Sequence, residues 1–180
     1  MPNHVKNVWK IKHIKPENLD TVLNKIAVKY TNTYSGKDEY IMDFDLIIPE
    51  PRVIQDCPKR FRVNKDSHVE PTPGREWFDW YDWHIANWGT KWNAYDGYTI
   101  MGKSCITLVF NTAWSFPQPV AEAVAKLIDC DIDIQYADED WGSNCGKMKY
   151  VSNTCRWEVD ETERDLKDPR RFAQNLWNRY

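Results

Sequence analysis

Two spacings of apolar residues alternate along this chain of 180 residues. Some segments place apolar side chains at every second position, as strands do, and others at every third or fourth position, as helices do. The strand patterns are residues 4–13, 104–114 and 131–136, with weaker ones at 40–48, 147–151 and 155–159. The helix patterns are residues 16–30, 76–88, 115–128 and a last segment that begins at Asp168 and Pro169. The order of these segments limits the folds that the chain can adopt.

One long segment interrupts that order. When residues 31–90 are set aside as an insertion, the segments that follow one another up to residue 140 read β-α-β-β-α-β. This is the split βαβ or ferredoxin-like pattern, in which two helices cover one face of an antiparallel sheet. Residues 141–180 then form a C-terminal extension with extra strands and a helix. We therefore predict a single α+β domain, ferredoxin-like, over residues 1–180.

A two-residue turn is predicted just before the longest strand. Asp96 and Gly97 form the dipeptide typical of a type I′ hairpin turn, and residues 91–95 and 98–101 flank it as short strands. Both faces of the strand at 104–114 are apolar, which favours a central position in the sheet.

The insertion carries an aromatic helix over residues 76–88. At 100° per residue, one sector of this helix collects most of its aromatic side chains. The members of this predicted inward stripe are Trp77, Phe78, Trp80, Tyr81, His84, Ile85 and Trp88. Asp79, Asp82 and Ala86 lie opposite, and Trp83 falls outside the stripe. We expect His84 to be a partly buried histidine with its hydrogen bonds satisfied.

Ten tryptophans are more than a small ferredoxin-like core can absorb. Each one buries a large area, and its indole N–H requires a partner when it is buried. Some are therefore expected to line a groove, where they could bind a protein partner or stack on a nucleotide-type ligand. The candidate binding residues are Trp83, Trp88, Trp92 and Asn93.

A second hypothesis is single-stranded nucleic-acid binding. A basic stretch with an aromatic residue inside it could contact phosphates, together with lysines of the first strand. Its members are Lys59, Arg60, Arg62 and Lys65. However, the chain lacks the glycine–aromatic signature of sheet-based RNA readers. Its 27 acidic and 24 basic side chains give a net charge of −3.

Enzymatic activity has little support in the sequence. Phosphate-binding glycine loops and the nucleophile elbow are absent. The remaining enzymatic alternative is a metal-dependent hydrolase centred on Asp138, Glu139, Asp140 and His84, because Mg²⁺ prefers oxygen ligands. Adjacent carboxylates seldom converge on one ion, so we predict no catalytic residues, no metal and no cofactor.

Compartment is inferred from the cysteines and from hydropathy. The five cysteines are widely spaced and include no Cys-x-x-Cys pair, so we expect buried, reduced thiols. The chain has no apolar run near the roughly 20 residues of a membrane span, and its first residues lack a signal-peptide core. These features predict a cytoplasmic protein.

Four motifs resemble a known family. They are the opening MPNHVKN, residues 79–93 (DWYDWHIANWGTKWN), residues 110–120 with Phe110-Asn111-Thr112-Ala113-Trp114-Ser115, and Tyr136-Ala137-Asp138-Glu139. In order and spacing they resemble the YubB-like group of small phage- and plasmid-borne proteins. The resemblance implies a ferredoxin-like domain and a mobile-element origin. It supplies no catalytic residues, because the group has no established activity.

Overall fold

A six-stranded antiparallel sheet lies at the centre of the structure, a computed structural model that describes residues 3–31, 36, 38–52 and 80–180. The strands are β1 His4–Lys12, β2 Ala27–Thr31, β3 Asp38–Met42, β4 Tyr95–Met101, β5 Ile106–Ala113, β6 Asp131–Asp138, β7 Cys145–Val151 and β8 Arg156–Thr162. The helices are α1 Leu19–Leu23, α2 Phe44–Ile47, α3 Trp80–Asn87, α4 Gln118–Ile128 and α5 Pro169–Arg179. A 3-10 turn, Pro16–Asn18, precedes α1.

The strand order confirms the predicted fold class. The sheet runs β4-β5-β1-β6-β7-β8, and its first four strands have the order of a ferredoxin-like fold. β1 lies between β5 and β6 and pairs antiparallel with both. Its Val5, Trp9 and Ile11 are fully buried on one face, as their alternation predicts. The extension at 141–180 adds β7 and β8 to the sheet edge, followed by α5.

The two faces of the sheet carry separate apolar layers. On the inner face, α4 buries Val120, Val124 and Ile128 against the largest core cluster, which also holds Trp9. On the outer face, α5 packs Ala173 and Leu176 against a smaller cluster from β1, β5, β6 and β7. The C-terminal helix therefore covers part of the sheet face that the nucleic-acid hypothesis requires to be open.

Two predicted elements of the N-terminal half are wrong in extent. The helix predicted over residues 16–30 ends at Leu23, and the chain turns into β2, which pairs with β3. From Ala27 onward, the side chains alternate in burial as they do on a half-buried strand, and this pattern prevails over the helical spacing of the apolar residues. The strand predicted over 40–48 ends at Met42, because the Asp43 carboxylate accepts from the Asp45 N–H at 3.0 Å and caps α2.

The hairpin predicted at Asp96-Gly97 is also wrong. Both residues lie inside one strand, β4, which pairs with β5 on either side of a bulge between Tyr95 and Tyr98. Asp96 takes a left-handed backbone with φ of 48°. A Cβ on Gly97 would lie 2.9 Å from the Val109 carbonyl oxygen. The Asp-Gly pair thus permits a bulge in close contact with the neighbouring strand instead of a chain reversal.

Asp131, at the start of β6, gives a pH-dependent prediction. Its carboxylate accepts from the Ser152 N–H and hydroxyl at 2.9 and 3.0 Å and lies 2.9 Å from His13 Nδ1. The Ser152 bonds lower the pKa of Asp131 below its usual value. A carboxyl with a lowered folded pKa stabilises the fold above its unfolded pKa, about 3.9, and loses that contribution as the pH falls through the folded value.

We therefore expect Asp131→Asn to lower the free energy of unfolding by about 1 kcal/mol at neutral pH. The difference from wild type should shrink as the pH falls below about 4. Urea unfolding at pH 7 and pH 3 measures it, with exposed Asp160→Asn as the control. A penalty that is the same at both pH values would contradict this role of the charge.

Candidate functional site

Two of the predicted binding residues belong to the core. Trp83 and Trp88 are buried, and their rings meet edge to face at 5.4 Å. The prediction that Trp83 lies outside the inward stripe is wrong, because α3 is rotated so that Trp83 and His84 face the interior. The polar His84 is tolerated there, as expected, since its ring nitrogens lie 2.8 Å from the Lys91 carbonyl and 3.0 Å from the Glu50 carboxylate.

Asn93 fastens the insertion to the segment before β4. Its side-chain oxygen accepts from the Phe44 and Ala94 N–H groups at 2.8 Å each, and its amide donates to the Asp43 carboxylate at 2.7 Å. These bonds satisfy the side chain within the protein. Asn93 therefore positions its neighbour Trp92, and its own side-chain polar atoms bond to other residues of the protein.

Trp92 points outward between two anchored neighbours. Its side chain is 37% exposed, while the Lys91 carbonyl accepts from His84 and Asn93 is fixed by the bonds above. The Lys91 ammonium lies 4.8 Å from the ring centroid of Trp92 and also 4.8 Å from that of Trp114. Both distances fall within the range of cation–π attraction. Two exposed indoles thus contact one cation.

Trp114 has an exposed side chain and a backbone conformation that is rare for its residue type. It follows the end of β5 with φ of 72°, a region that bulky side chains rarely adopt. Its N–H donates to the Asn3 carbonyl at 3.0 Å, and its carbonyl accepts from the Asn144 side chain at 2.8 Å. Its indole nevertheless remains 43% exposed, with Tyr81 edge-on at 6.1 Å. The fold holds this tryptophan outward at a conformational cost.

A polar segment continues the surface from Trp92. The Tyr95 ring lies 6.0 Å from Trp92, and its hydroxyl lies 2.6 Å from His4 Nδ1. The His4 N–H donates to the Glu139 carboxylate at 2.8 Å. Burial, with the negative charges of Asp96 and Glu139, raises the pKa of Tyr95 to about 12. Two carboxylates, Asp96 and Glu139, therefore act on the Tyr95 hydroxyl at this end of the sheet.

The acidic turn after β6 is held by neutral donors. Asp138 is buried and accepts from the Asn3 and Asn144 side chains and from the Asp140 N–H. Asp140 also accepts from the Asn3 side chain, at 2.7 Å. In the part of the chain that the structure describes, no group of three His, Cys, Asp or Glu side chains is arranged to hold a metal ion. These carboxylates shape a turn.

That turn displays a third tryptophan. Trp141 is 44% exposed and lines an open notch of about 430 Å³ with Glu139, Asp140 and Arg170. Asn3 connects the notch to Trp114, because its carbonyl accepts from Trp114 while its side chain donates to Asp140.

Three exposed tryptophans therefore gather at one end of the sheet. We call this region the tryptophan surface, and its residues are Tyr81, Lys91, Trp92, Tyr95, Trp114, Glu139, Asp140 and Trp141. Of the predicted binding residues, only Trp92 contributes an exposed side chain to it. Trp114 lies in a motif that the sequence singled out, but nothing in its spacing shows that its indole points outward.

Some sequence predictions lie outside the described residues. The basic stretch of Lys59, Arg60, Arg62 and Lys65 is among them, as are Trp77, Phe78 and Asp79 of the predicted aromatic helix. Of the cysteines, Cys145 is buried, whereas Cys155 is exposed, contrary to the expectation of buried thiols. None of the helices in the described residues combines the length and the apolar character that a membrane span requires.

The fold and the surface define a ferredoxin-like α+β domain with an exposed aromatic patch. Residues 87–172 match the model of an uncharacterised family described as the ferredoxin-like domain in Api92-like protein. This segment supplies five of the six strands of the sheet, and β1 precedes it. No curated protein and no solved structure matches the chain.

Proposed function

We propose that this chain is a non-enzymatic binding protein that holds a host protein on the tryptophan surface. The observation that carries the proposal is Trp114, whose indole is kept outward by a left-handed backbone and two hydrogen bonds. Tryptophan is enriched among the few residues that dominate binding energy at protein interfaces. A strained backbone that exposes one is consistent with selection for contact with a partner.

The biological setting is part of the same proposal. The resemblance to the YubB-like group supports an accessory protein encoded by a phage or plasmid, acting in the cytoplasm of its bacterial host, with counter-defence as one such role. A nucleotide-type ligand is the alternative occupant. The position of Lys91 favours a protein, because its ammonium already contacts both indoles that a base would stack against.

Neither of the other hypotheses gains from the geometry. Helix α5 covers part of the outer sheet face, where bases would otherwise stack. In the described residues no hydrogen bond or ion pair joins His84 to Asp138, Glu139 or Asp140, so the hydrolase has no assembled centre. A raised 260/280 absorbance ratio of the purified protein would return a nucleotide or nucleic-acid ligand to first place.

Capture from host lysate tests the proposal. Immobilised wild type is compared with a Trp92→Ala/Trp114→Ser double variant, and bound proteins are quantified by mass spectrometry. Loss of two interfacial tryptophans should reduce the partner at least about 30-fold, since one such residue can contribute about 2 kcal/mol. The control is Ile100→Thr, an exposed apolar side chain on β4 (47% exposed). Equal capture by all three proteins would contradict the proposed surface.

A further inference from the structure

We infer that the partner docks on the tryptophan surface through a basic protein segment whose arginine or lysine side chains meet Trp141, Glu139 and Asp140. This inference rests on the proposed function and adds the chemistry of the partner. Two features support it: the exposed indoles of the tryptophan surface, and the carboxylates Glu139 and Asp140 beside Trp141.

The tryptophan surface already holds one cation, the ammonium of Lys91. Lys91 places its ammonium at 4.8 Å from the centroids of both Trp92 and Trp114. A cation of the chain itself therefore lies over Trp92 and Trp114, at a distance where the ring quadrupole attracts it. Trp141 has a similar exposure, and in the described residues no cation lies over its ring.

The carboxylates beside Trp141 complement the charge of a basic ligand. Glu139 and Asp140 line the same notch, and each is fixed by a neutral donor, the His4 N–H and the Asn3 amide. Neutral donors orient a carboxylate without cancelling its charge. Asp96 adds a third exposed carboxylate near Tyr95. A guanidinium entering the notch can thus stack on Trp141 and donate to carboxylates.

Arg170 brings a positive charge to the same notch. It lies on the same notch and forms no ion pair within 4 Å with Glu139 or Asp140 among the described residues. Its charge opposes a basic ligand and would favour an acidic one. Removing Arg170 and removing the carboxylates should therefore change the affinity for a basic peptide in opposite directions.

The test uses the full chain with a fluorescently labelled hexa-arginine peptide, and hexa-glutamate as the reverse-charge probe. Binding is followed by anisotropy at low and physiological salt. We expect Glu139→Gln/Asp140→Asn to weaken hexa-arginine binding at least about fivefold and Arg170→Gln to strengthen it about twofold or more. Asp160→Asn, an exposed carboxylate on β8, should leave it unchanged. The amide variants retain the oxygens that accept from His4 and Asn3, so the turn is preserved.

Three outcomes would overturn the inference: no binding of hexa-arginine by wild type, equal or tighter binding of hexa-glutamate, or equal weakening by Asp160→Asn. The lysate capture separates this failure from failure of the proposed function. If the Trp92/Trp114 variant loses the partner while the Glu139/Asp140 variant retains it fully, the surface is correct and the basic partner is wrong. If neither variant loses a partner, both are wrong.

Discussion

Replacement of Trp88 by alanine is expected to lower the free energy of unfolding by about 3–5 kcal/mol, the usual cost of truncating a buried tryptophan. Trp88 is 3% exposed and stacks on His84 with ring centroids 4.1 Å apart. Its ring also meets Phe44 at 5.9 Å, across the contact between α2 and the end of α3. The indole N–H donates to the Ile48 carbonyl at 2.9 Å, so truncation also removes the partner of a backbone oxygen.

The matched comparison is Trp80→Ala on the same helix. Trp80 is half-buried and packs at the margin of the core, so its loss should cost clearly less than that of Trp88. Urea unfolding at neutral pH, monitored by circular dichroism, measures both. Equal penalties at the two positions would mean that the buried face of α3 is not the one centred on Trp83 and His84.

The central sheet could be predicted because alternation there has one interpretation. Val5, Trp9 and Ile11 alternate with lysines, and a one-residue shift in register would turn all of them to the other face. The same holds for Ile132 and Ile134 of β6. The Asp168 cap was predictable for a local reason, since its side chain accepts from the Arg171 N–H within one turn. Local hydrogen bonds and strict alternation can thus be predicted from the sequence without knowing which elements pack against them.

The buried face of α3 was predicted only in part, because apolar side chains occur all around this helix and single out no one face. His84 lies inside because the Lys91 carbonyl and the Glu50 carboxylate meet its ring nitrogens, and both partners lie outside the helix. Asn87 bonds back to the Trp83 carbonyl at 2.9 Å. The stripe drawn at 100° per residue placed His84 inside, as the structure does, but it left out Trp83, which is buried.

The tryptophan surface was largely hidden for a similar reason. Trp92, Trp114 and Trp141 follow no common spacing, and tertiary contacts alone bring them to one end of the sheet. The exposure of each tryptophan depends on how its own backbone is held, and the groups that hold it are distant in sequence. Asn3, for example, bonds to Trp114 and to Asp140, which lie more than 100 positions away. The sequence indicated that some tryptophans must be exposed, and Trp92, one of the candidates it gave, is exposed.

Replacement of Trp114 by glycine should separate the role of its exposed indole in binding from its role in the stability of the fold. Glycine adopts φ of 72° without strain, which offsets its entropic cost in the unfolded chain, so the free energy of unfolding should change by less than about 1 kcal/mol. Both backbone bonds, to Asn3 and from Asn144, remain possible. Partner capture from lysate should nevertheless fall about 30-fold, the loss of a residue that contributes about 2 kcal/mol at an interface.

Trp114→Asn repeats this test with a side chain that tolerates the left-handed region and lacks the flexibility of glycine. Both variants should melt close to wild type and lose the partner to the same extent, because both remove the indole and retain the backbone. If either variant loses several kcal/mol of stability, Trp114 is exposed for reasons of folding. If both are stable and still capture the partner, the strained backbone displays this indole without a role in binding. Stability retained with binding lost is the combination that only a dedicated contact surface explains.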